Sequence, residues 1–379
     1  MRIDFAGSPQ PTLGVEWELA CVDAATGQLV PVAEEVLAAV CPPGEPDHPK
    51  VKGELLVNTV EAVTGICRTV AEARDDLTHT VQALRQATDP LGVELFSAGC
   101  HPFSKWEDQE VSEGDRYATL IDRTRWWGRQ MVIFGVHVHV GVASDAKAMP
   151  IVTSLLTWFP HLQALSASSP FWEGRDTGYA SNRALLFQQL PTAGLPFHFS
   201  RWSEYEGYVE DLTRTGVIDG LADIRWDVRP SPALGTVEVR VCDGVPTMAE
   251  LAALTALTQC LVVDLDRRLD DGEQLPVMPP WHVQENKWRA ARYGLDAEII
   301  LDAAGRERLV TDDLDDLLER LSPVARRLEC EDELRAVADI PRRGASYQRQ
   351  RAVAESAGGD VRAVVDSLVA EMRAGAPVG

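Results

Sequence analysis

The chain has 379 residues, of which 36 are basic and 58 acidic, so its formal net charge at pH 7 is −22. Hydrophobic residues make up 45% and charged residues 25%, a balance that is typical of a globular chain and excludes a disordered or fibrous one. Nucleic acid binds to basic surfaces, so the acidic balance also argues against nucleic acid as a partner.

Domain organisation and compartment follow from the length and the cysteines. Because no Pro/Gly/Ser-rich linker interrupts the sequence, we predict one domain over residues 1–379, with a helical C-terminal extension from about residue 305. The seven cysteines form no C-x-x-C pair, which is typical of free thiols in a reducing compartment. Neither a secretory signal nor an apolar stretch of roughly 18 residues is recognised. We therefore expect a cytoplasmic protein that binds no membrane; a homo-oligomer stays possible.

Taken in chain order, the first half of the sequence alternates between strand and helix patterns. The predicted elements are a strand at 12–23, a helix at about 32–40, a helix at about 69–89, a strand at 93–99, a helix at 116–133, a strand at 135–142 and a helical stretch at about 147–168. Residues 54–64, between the first two helices, are apolar with two embedded glutamates.

The second half becomes helical towards its end. It is predicted to contain a loop-rich aromatic region at 170–200, strands at 224–229 and 235–243, a helix at about 247–269 and mainly helices after 284. Thr247 is the predicted N-cap of the long helix, with Glu250 completing a capping box, and Ser322-Pro323 is predicted to start a later helix. Strands separated by helices of unequal length, several with one polar face, predict an α+β fold.

Four of the predicted strands carry charged side chains on one face, because positions i and i+2 of a strand point the same way. These side chains are Glu16 and Glu18, His137 and His139, Arg225, Asp227 and Arg229, and Glu238 and Arg240. If the faces meet in one sheet, the buried carboxylates repel one another and are costly unless something compensates them. A divalent cation such as Mg²⁺ or Mn²⁺ suits carboxylates accompanied by an imidazole.

Each of these strand patterns also occurs in proteins that bind no metal. A strand with two glutamates is commonly a solvent-facing edge, and an E-x-R strand is commonly an ion-pair pattern. The H-x-H strand is as compatible with two hydrogen-bonded histidines as with metal ligands, and it also suits a metal-dependent amidohydrolase. A non-catalytic nucleotide- or amino-acid-binding protein is a third possibility. No phosphate-binding loop or kinase signature is present, so ATP would have to bind through metal ions and arginines on the sheet.

Several longer motifs point to one family. They are G-V-E-x-E at 14–18, V-E-A-V-T-G-I-C-R at 60–68, H-V-H-V-G at 137–141, S-P-F-W-E-G-R-D-T-G-Y at 169–179, R-W-D-V-R-P-S-P at 225–232, E-V-R-V-C-D at 238–243 and E-N-K-W-R-A-A-R-Y-G-L-D at 285–296. From about residue 11 to about residue 370 the chain resembles the bacterial type 2 glutamate–cysteine ligases, which are ATP-dependent carboxylate–amine ligases. The resemblance implies a glutamine synthetase-like fold, in which a curved, mainly antiparallel sheet forms a funnel flanked by helices. It also implies ATP as co-substrate and two or three Mg²⁺ (or Mn²⁺) ions.

The resemblance also implies roles for single residues. The implied metal ligands are Glu16, Glu18, Glu54, Glu61, His139 and Glu238, with His137 as a less favoured alternative to His139. Arg240 resembles the arginine that contacts the transferred phosphate, and Arg240 and Glu238 are the predicted catalytic residues. Trp17, between the paired acids, should point to the opposite face and remove no ligand.

Further arginines and amides could hold the substrates. We predict substrate binding by Arg175, Asn182, Arg183, Arg225 and Arg229, and nucleotide binding by Arg240, Lys287, Arg289 and Arg292. A structural ion pair accounts equally well for each arginine. The basic cluster Arg342, Arg343, Arg349 and Arg351 could close over nucleotide phosphates, although the pattern favours a solvated helix. The small-molecule partners expected are ATP, an amino acid carboxylate and an amine, with glutamate and cysteine as first choice.

Overall fold

A seven-stranded antiparallel sheet is the central element of the computed structural model, which describes residues 1–42, 44–45 and 47–378. The strands of this sheet and of two small hairpins are β1 (Leu13–Asp23), β2 (Val51–Gly53), β3 (Thr59–Val63), β4 (Val93–Phe96), β5 (Gly135–Gly141), β6 (Phe171–Trp172), β7 (Arg175–Asp176), β8 (Val228–Ser231), β9 (Thr236–Asp243), β10 (Glu298–Ile300) and β11 (Glu307–Leu309). The order in the main sheet is β2-β3-β1-β5-β9-β8, and β4 pairs with the C-terminal part of β1. β6 pairs with β7 and β10 with β11.

Helices surround this sheet and make up the C-terminal part of the described chain. They are α1 (Ala33–Val40), α2 (Val70–Thr88), α3 (Asp115–Thr124), α4 (Trp126–Arg129), α5 (Asp145–Leu155), α6 (Phe159–Ser166), α7 (Arg183–Phe187), α8 (Trp202–Arg214), α9 (Met248–Asp270), α10 (Pro280–Tyr293), α11 (Val310–Arg327), α12 (Glu331–Ala336), α13 (Asp339–Arg343), α14 (Ser346–Ser356) and α15 (Val361–Ala374). Single 3₁₀ turns lie at Asp89–Leu91, Trp106–Asp108, Leu221–Asp223 and Gly294–Asp296. The predicted α+β fold class, with an antiparallel sheet flanked by helices, is confirmed, and the sheet is open rather than closed.

The long helices predicted at 69–89 and 247–269 agree with the structure, whereas several other predictions are wrong in their bounds. The strand predicted at 224–229 begins only at Val228, so Arg225 and Asp227 precede β8, and the helical stretch predicted at 147–168 is divided into α5 and α6. Thr247 Oγ1 accepts a hydrogen bond from Glu250 N at 3.1 Å, as the capping box requires. The helix predicted at 116–133 is two short helices that meet at Arg125, whose φ of 52° ends the first. Pro323 does not start a helix but lies inside α11, whose buried face continues past it through Val324.

Alternation along the strands gives the sheet one apolar and one polar face. The apolar side chains of β1, β5 and β9 are buried in a core shared with α2, α5, α6 and α9. Trp17 belongs to that core, and its Nε1 donates to Val245 O at 3.1 Å. It therefore points away from the acids beside it in sequence, as predicted.

The long helix α9 corrects one expectation. By length and composition alone it could cross a membrane, so an apolar stretch of that size does exist in the described part of the chain. However, 83% of its most apolar window is buried inside the protein. Its hydropathy is explained by contacts with α2, α5, α11 and α12, which enclose it.

The basic C-terminal cluster is partly structural. Arg349 is buried and bridges two acids, with Nη1 2.8 Å from Glu250 Oε1 on α9 and Nε 2.7 Å from Glu371 Oε1 on α15. Arg351 pairs with Asp176 at 2.8 Å and Arg342 with Asp339 at 3.2 Å. The Arg349 and Arg351 pairs join α14 to other parts of the fold, whereas the Arg342–Asp339 pair is exposed and lies within α13.

His101 gives the fold a pH dependence that can be measured. The ring is fully buried; Nδ1 accepts from Ser104 N at 2.9 Å, and Nε2 lies 2.9 Å from Gly27 O. Burial lowers the pKa of His101 from 6.5 to about 3. Below pH 6.5 His101 is therefore protonated in the unfolded chain but stays neutral in the folded protein. The contribution of the neutral, buried ring to stability is lost as the pH falls from 6.5 towards 3.

We predict that the difference in free energy of unfolding between the wild type and the His101→Gln variant depends on pH. This difference should be about 2 kcal/mol more in favour of the wild type at pH 7 than at pH 5. Urea denaturation at the two pH values measures both quantities. His79→Gln, a change at an exposed histidine, is the matched control and should show no such difference. A pH-independent gap between the wild type and His101→Gln would contradict the assignment.

Candidate active site

The polar face of the sheet forms the floor of a cavity of about 360 Å³. The charged and polar residues that line it are Glu16, Glu18, Glu54, Glu61, Arg116, Tyr117, His137, Arg183, Arg225, Arg229 and Arg240. A larger groove of about 640 Å³ lies elsewhere, next to α6 and α11, but its arginines are already paired with acids, such as Arg308 with Asp316 and Arg320 with Asp264. The cavity on the sheet is therefore the candidate active site.

Strand register explains why residues far apart in sequence meet in this cavity. Glu18 on β1 is directly opposite Glu61 on β3, and Glu16 is opposite His137 on β5. His139 is in turn opposite Glu238 on β9. Directly opposed residues of antiparallel strands share a face, so alternation on neighbouring strands brings their polar side chains together.

The two histidines have different partners. His137 Nδ1 lies 2.7 Å from Glu16 Oε2 and must donate to it, because a carboxylate only accepts. His139 uses both ring nitrogens, with Nδ1 3.0 Å from Thr236 Oγ1 and Nε2 3.2 Å from Glu16 Oε1. Burial and the nearby Arg240 lower the pKa of His137 to about 4, so the ring is neutral at pH 7. Both ring nitrogens of His139 thus have protein partners, whereas only Nδ1 of His137 has one among the described residues; the choice of His139 as metal ligand stays a prediction.

Arginines compensate the charge of Glu238. Arg229 donates to both carboxylate oxygens, with Nε 2.6 Å from Oε2 and Nη2 3.2 Å from Oε1, and Arg240 Nη1 contacts Oε1. Burial raises the pKa of Glu238, but the attraction of Arg240 and Arg229 outweighs it and holds the pKa below its ordinary value. Glu16 behaves similarly, because hydrogen bonds from the two histidines outweigh burial and lower its pKa.

Glu18, Glu54 and Glu61 have no such compensation. Burial, with the repulsion of Glu54, raises the pKa of Glu18 to about 8. Burial raises the pKa of Glu54, and burial together with the repulsion of Glu16 raises that of Glu61 well above its ordinary value. Over residues 1–42, 44–45 and 47–378, none of the three forms an ion pair, although Gly135 N donates to Glu18 and Leu55 N to Glu54.

One or more divalent cations would compensate these unpaired acids. Two overlapping groups of donors, one of Glu16, His137 and Glu238 and one of Glu18, Glu61 and His137, have ligand atoms within 4.8 Å of one another. Carboxylate oxygens with one imidazole nitrogen form a donor set suited to Mg²⁺ or Mn²⁺. The second group fits better, because its two carboxylates form no ion pair with a protein cation in the described ranges.

Other predicted substrate residues lie in the wall of the cavity. Arg183 is buried, and its Nη1 donates to Arg240 O at 3.2 Å. Gly135 makes room for it, since a Cβ at that position would lie 2.2 Å from Arg183 Nη2. Arg225 pairs with Asp223 at 3.0 Å.

Asn182 supports the loop behind this wall rather than facing the cavity. Its Nδ2 donates to Ser169 O at 2.7 Å and to Thr177 Oγ1 at 2.8 Å.

Four further predicted binding residues lie outside the cavity. They are Arg175 in the β6–β7 hairpin and Lys287, Arg289 and Arg292 on α10. Lys287 forms a buried ion pair with Asp227 at 2.6 Å, and Arg289 pairs with Glu285 at 2.8 Å. Arg292 contacts Gly178 O and lies over the Tyr179 ring. Their predicted roles in substrate and nucleotide binding stay predictions.

Arg116 and Tyr117 line the cavity without having been expected there. Both belong to α3, which the sequence pattern predicts only as part of an ordinary helix. They carry no recognised motif and lie on no charged strand face. The one signal in the sequence is the position of this helix between the β4 strand and the H-x-H strand.

Comparison with known proteins identifies the family. A family model described as glutamate–cysteine ligase family 2 (GCS2) matches residues 12–367. The chain belongs to this family. A relative from Mycolicibacterium paratuberculosis and one from Mycobacterium tuberculosis, both named provisionally as glutamate–cysteine ligase 2, are each 65% identical to it over 371 residues, which is 98% of this chain and 97% of the relative.

Solved structures share the fold of this GCS2 member at low sequence identity. A glutamate–cysteine ligase from Francisella tularensis, solved in complex with AMP, has a TM-score of 0.69 at 13% identity and covers 98% of this chain and 90% of its own. A bifunctional glutathione synthetase from Pasteurella multocida has a TM-score of 0.68 at 13% identity and covers 96% of this chain and 52% of its own. The predicted family and fold class are both confirmed.

The uncompensated negative charge of Glu18, Glu54 and Glu61 predicts how divalent ions act on the stability of the protein. In metal-free buffer Glu61→Gln should raise the melting temperature, because it removes one of three clustered, buried carboxylates. With Mg²⁺ or Mn²⁺ at 100 times its dissociation constant, the wild type should gain about 2.7 kcal/mol and Glu61→Gln much less. Scanning calorimetry measures both effects.

The control is Glu35→Gln, which removes the same charge from the exposed surface of α1. It should respond to the ion as the wild type does. Equal stabilisation of the wild type and Glu61→Gln by the ion would show that the acids of this cavity do not bind it.

Proposed function

We propose that the protein joins a carboxylate to an amine with ATP, forming an amide together with ADP and phosphate. The first choice of substrates is L-glutamate and L-cysteine, which would give γ-glutamylcysteine. Membership of a glutamate–cysteine ligase family supports the ligase class, and the complex of the Francisella enzyme with AMP supports an adenine nucleotide as co-substrate. The free thiols of all seven cysteines suit the reducing cytoplasm, where we expect the protein to act as a single ligase domain on small molecules.

One observation carries the proposal: a single cavity contains clustered acids and several arginines. ATP and a carboxylate substrate repel each other, so an enzyme that joins them must supply positive charge between them. Glu18, Glu54 and Glu61 supply sites for cations, and Arg229 and Arg240 supply fixed positive charge on the neighbouring strands.

Metal ions would occupy the carboxylate side of this arrangement. Glu18, Glu61 and His137 would hold one ion, and Glu16, His137 and Glu238 present a second, overlapping set of donors. Bound Mg²⁺ or Mn²⁺ would supply Lewis-acid chemistry at phosphoryl oxygens and neutralise their charge.

Arg240 is suited to stabilise charge on the transferred phosphoryl group. Glu238 and the ring of Phe187, 5.9 Å from the guanidinium carbon, hold it in place. Its Nε is buried and has no partner among the described residues, so a donor stays available. Transfer of the terminal phosphoryl group of ATP to the substrate carboxylate gives an acyl phosphate and ADP; the amine then attacks the acyl carbon, and phosphate leaves.

An amidohydrolase is not supported. Such a site would use both histidines of the H-x-H strand, but both nitrogens of His139 are already bonded to the protein. The donor groups of the cavity contain one imidazole and two carboxylates each, which suits magnesium better than zinc. The family to which the chain belongs is also one of ligases.

A screen of amino acids and amines for Mg²⁺-dependent ADP release tests the reaction. ADP and a new amide should appear in equal amounts with one acid–amine pair, and omission of either substrate should suppress both. ATP binding without ADP release for any pair would contradict the proposal and favour a non-catalytic binding protein.

Arg240→Ala should lower kcat by about 100-fold or more while the far-UV circular dichroism stays unchanged, because it removes fixed charge at the reacting phosphoryl group. Arg306→Ala is the control: Arg306 is an exposed arginine paired only locally with Asp302. Turnover of Arg240→Ala at the rate of this control would remove Arg240 from the mechanism.

A further inference from the structure

The helix α3 differs from the other parts of the cavity wall. It runs from Asp115 to Thr124, and none of its residues is buried. Through Arg116, Tyr117 and Leu120 it nevertheless lines the same cavity as the acids of the sheet. A helix with so little buried surface is only weakly held by packing, because burial of apolar area is the main source of helix stability in proteins.

Both ends of α3 have backbone conformations that suit a change of direction. Gly114, directly before the helix, has φ 135°, and Arg125, directly after it, has φ 52°. The helix is held by Leu120, which packs against Met131, Phe187 and Leu190, and by two polar contacts: Arg123 Nη1 donates to Val217 O at 2.6 Å, and Tyr117 Oη lies 3.4 Å from Gly53 O. Because α3 contributes no residue to the main core beneath the sheet, a movement of this helix would leave that core in place.

Arg116 is the cation that α3 brings to the cavity. Its guanidinium makes no hydrogen bond or ion pair within the described ranges, whereas Arg225, Arg229 and Arg240 are each paired with an acid. Burial lowers the pKa of Arg225, and the nearby charges of Arg116 and Arg240 lower it further. Two facing cations, one of them unpaired, form a site for an anion.

We propose that Arg116 is a substrate-binding residue, carried by α3 as a lid, that contacts an anionic oxygen of the bound substrates. This inference rests on the proposed function and deepens it. The oxygen belongs either to a phosphate of the nucleotide or to the carboxylate of the acid substrate, since a guanidinium binds both in the same bidentate way. Contact with the substrate would draw α3 over the cavity and exclude water from the acyl phosphate.

Calorimetric titration with the non-hydrolysable analogue AMP-PNP in Mg²⁺ separates the two sources. If Arg116 contacts phosphate, Arg116→Ala should weaken AMP-PNP binding by about 10- to 100-fold. If it contacts the carboxylate, AMP-PNP binding should be unchanged, and the KM for the acid should rise by a similar factor with a smaller change in kcat. Arg116→Lys should recover part of either loss, because lysine keeps the charge without the bidentate fork.

The matched control is Arg129→Ala, which removes the same charge from the exposed end of α4, outside the cavity. Limited trypsin digestion gives a readout that does not depend on turnover. Cleavage at the exposed Arg123 and Arg125 should slow when AMP-PNP or the acid substrate is bound to the wild type, and not in Arg116→Ala.

The outcomes distinguish this inference from the proposed function. If the wild type turns over and Arg116→Ala matches Arg129→Ala in binding, KM and proteolysis, Arg116 has no role and the ligase proposal stands. If the wild type binds AMP-PNP but joins no acid–amine pair, the ligase proposal fails and the nucleotide arm still decides the role of Arg116. If the wild type binds neither AMP-PNP nor any acid, both proposals are overturned.

Discussion

The repulsion between buried carboxylates is the constraint on which the site depends. Glu18, Glu54 and Glu61 lie together in one cavity, with Glu61 buried and the other two partly exposed, yet no ion pair compensates them over residues 1–42, 44–45 and 47–378. A protein keeps such a costly arrangement only where something else supplies the opposite charge. Divalent cations would supply it and would also neutralise the phosphates of a nucleotide substrate, so the electrostatics of the cavity and the ligase family point to the same chemistry.

The rest of the fold serves to keep this cluster rigid. The long core helix α9 and the apolar faces of β1, β5 and β9 fix the strands, so strand register alone decides which side chains meet. Glu16 orders the two histidines through hydrogen bonds, and His137 is the histidine that belongs to both groups of clustered donors. On β9, Glu238 positions two arginines, Arg229 and Arg240. Glu18 and Glu61, on β1 and β3, are thus separated by β5 from Arg229 and Arg240, on β8 and β9, and all four line one cavity.

The sequence predicted the parts of this site that lie on regular strands. Strict alternation assigned Glu16, Glu18, Glu238 and Arg240 to one face, because a strand has only two faces. Alternation could not rank the two histidines, since both lie on the same face and differ only in their hydrogen-bond partners. That difference depends on Thr236, a neighbour on another strand.

Tertiary placement lay beyond the sequence pattern. Glu285, Arg289 and Arg292 share one face of α10, but Arg289 pairs with Glu285 and Arg292 contacts Gly178 O, outside the cavity. Arg116 had no motif, and it reaches the cavity only because α3 is bounded by Gly114 and Arg125 and packs beside the sheet. The role of a charged residue on a helix depends on which part of the fold the helix packs against, and the sequence pattern does not give that contact.

Anomalous diffraction from crystals soaked in Mn²⁺ would show directly whether the acids of this cavity hold a divalent ion. A manganese peak is expected at about 2.1 Å from carboxylate oxygens of Glu18 and Glu61 and from a ring nitrogen of His137. A cavity that stays without manganese at saturating concentration, with its carboxylates paired to protein cations instead, would contradict it.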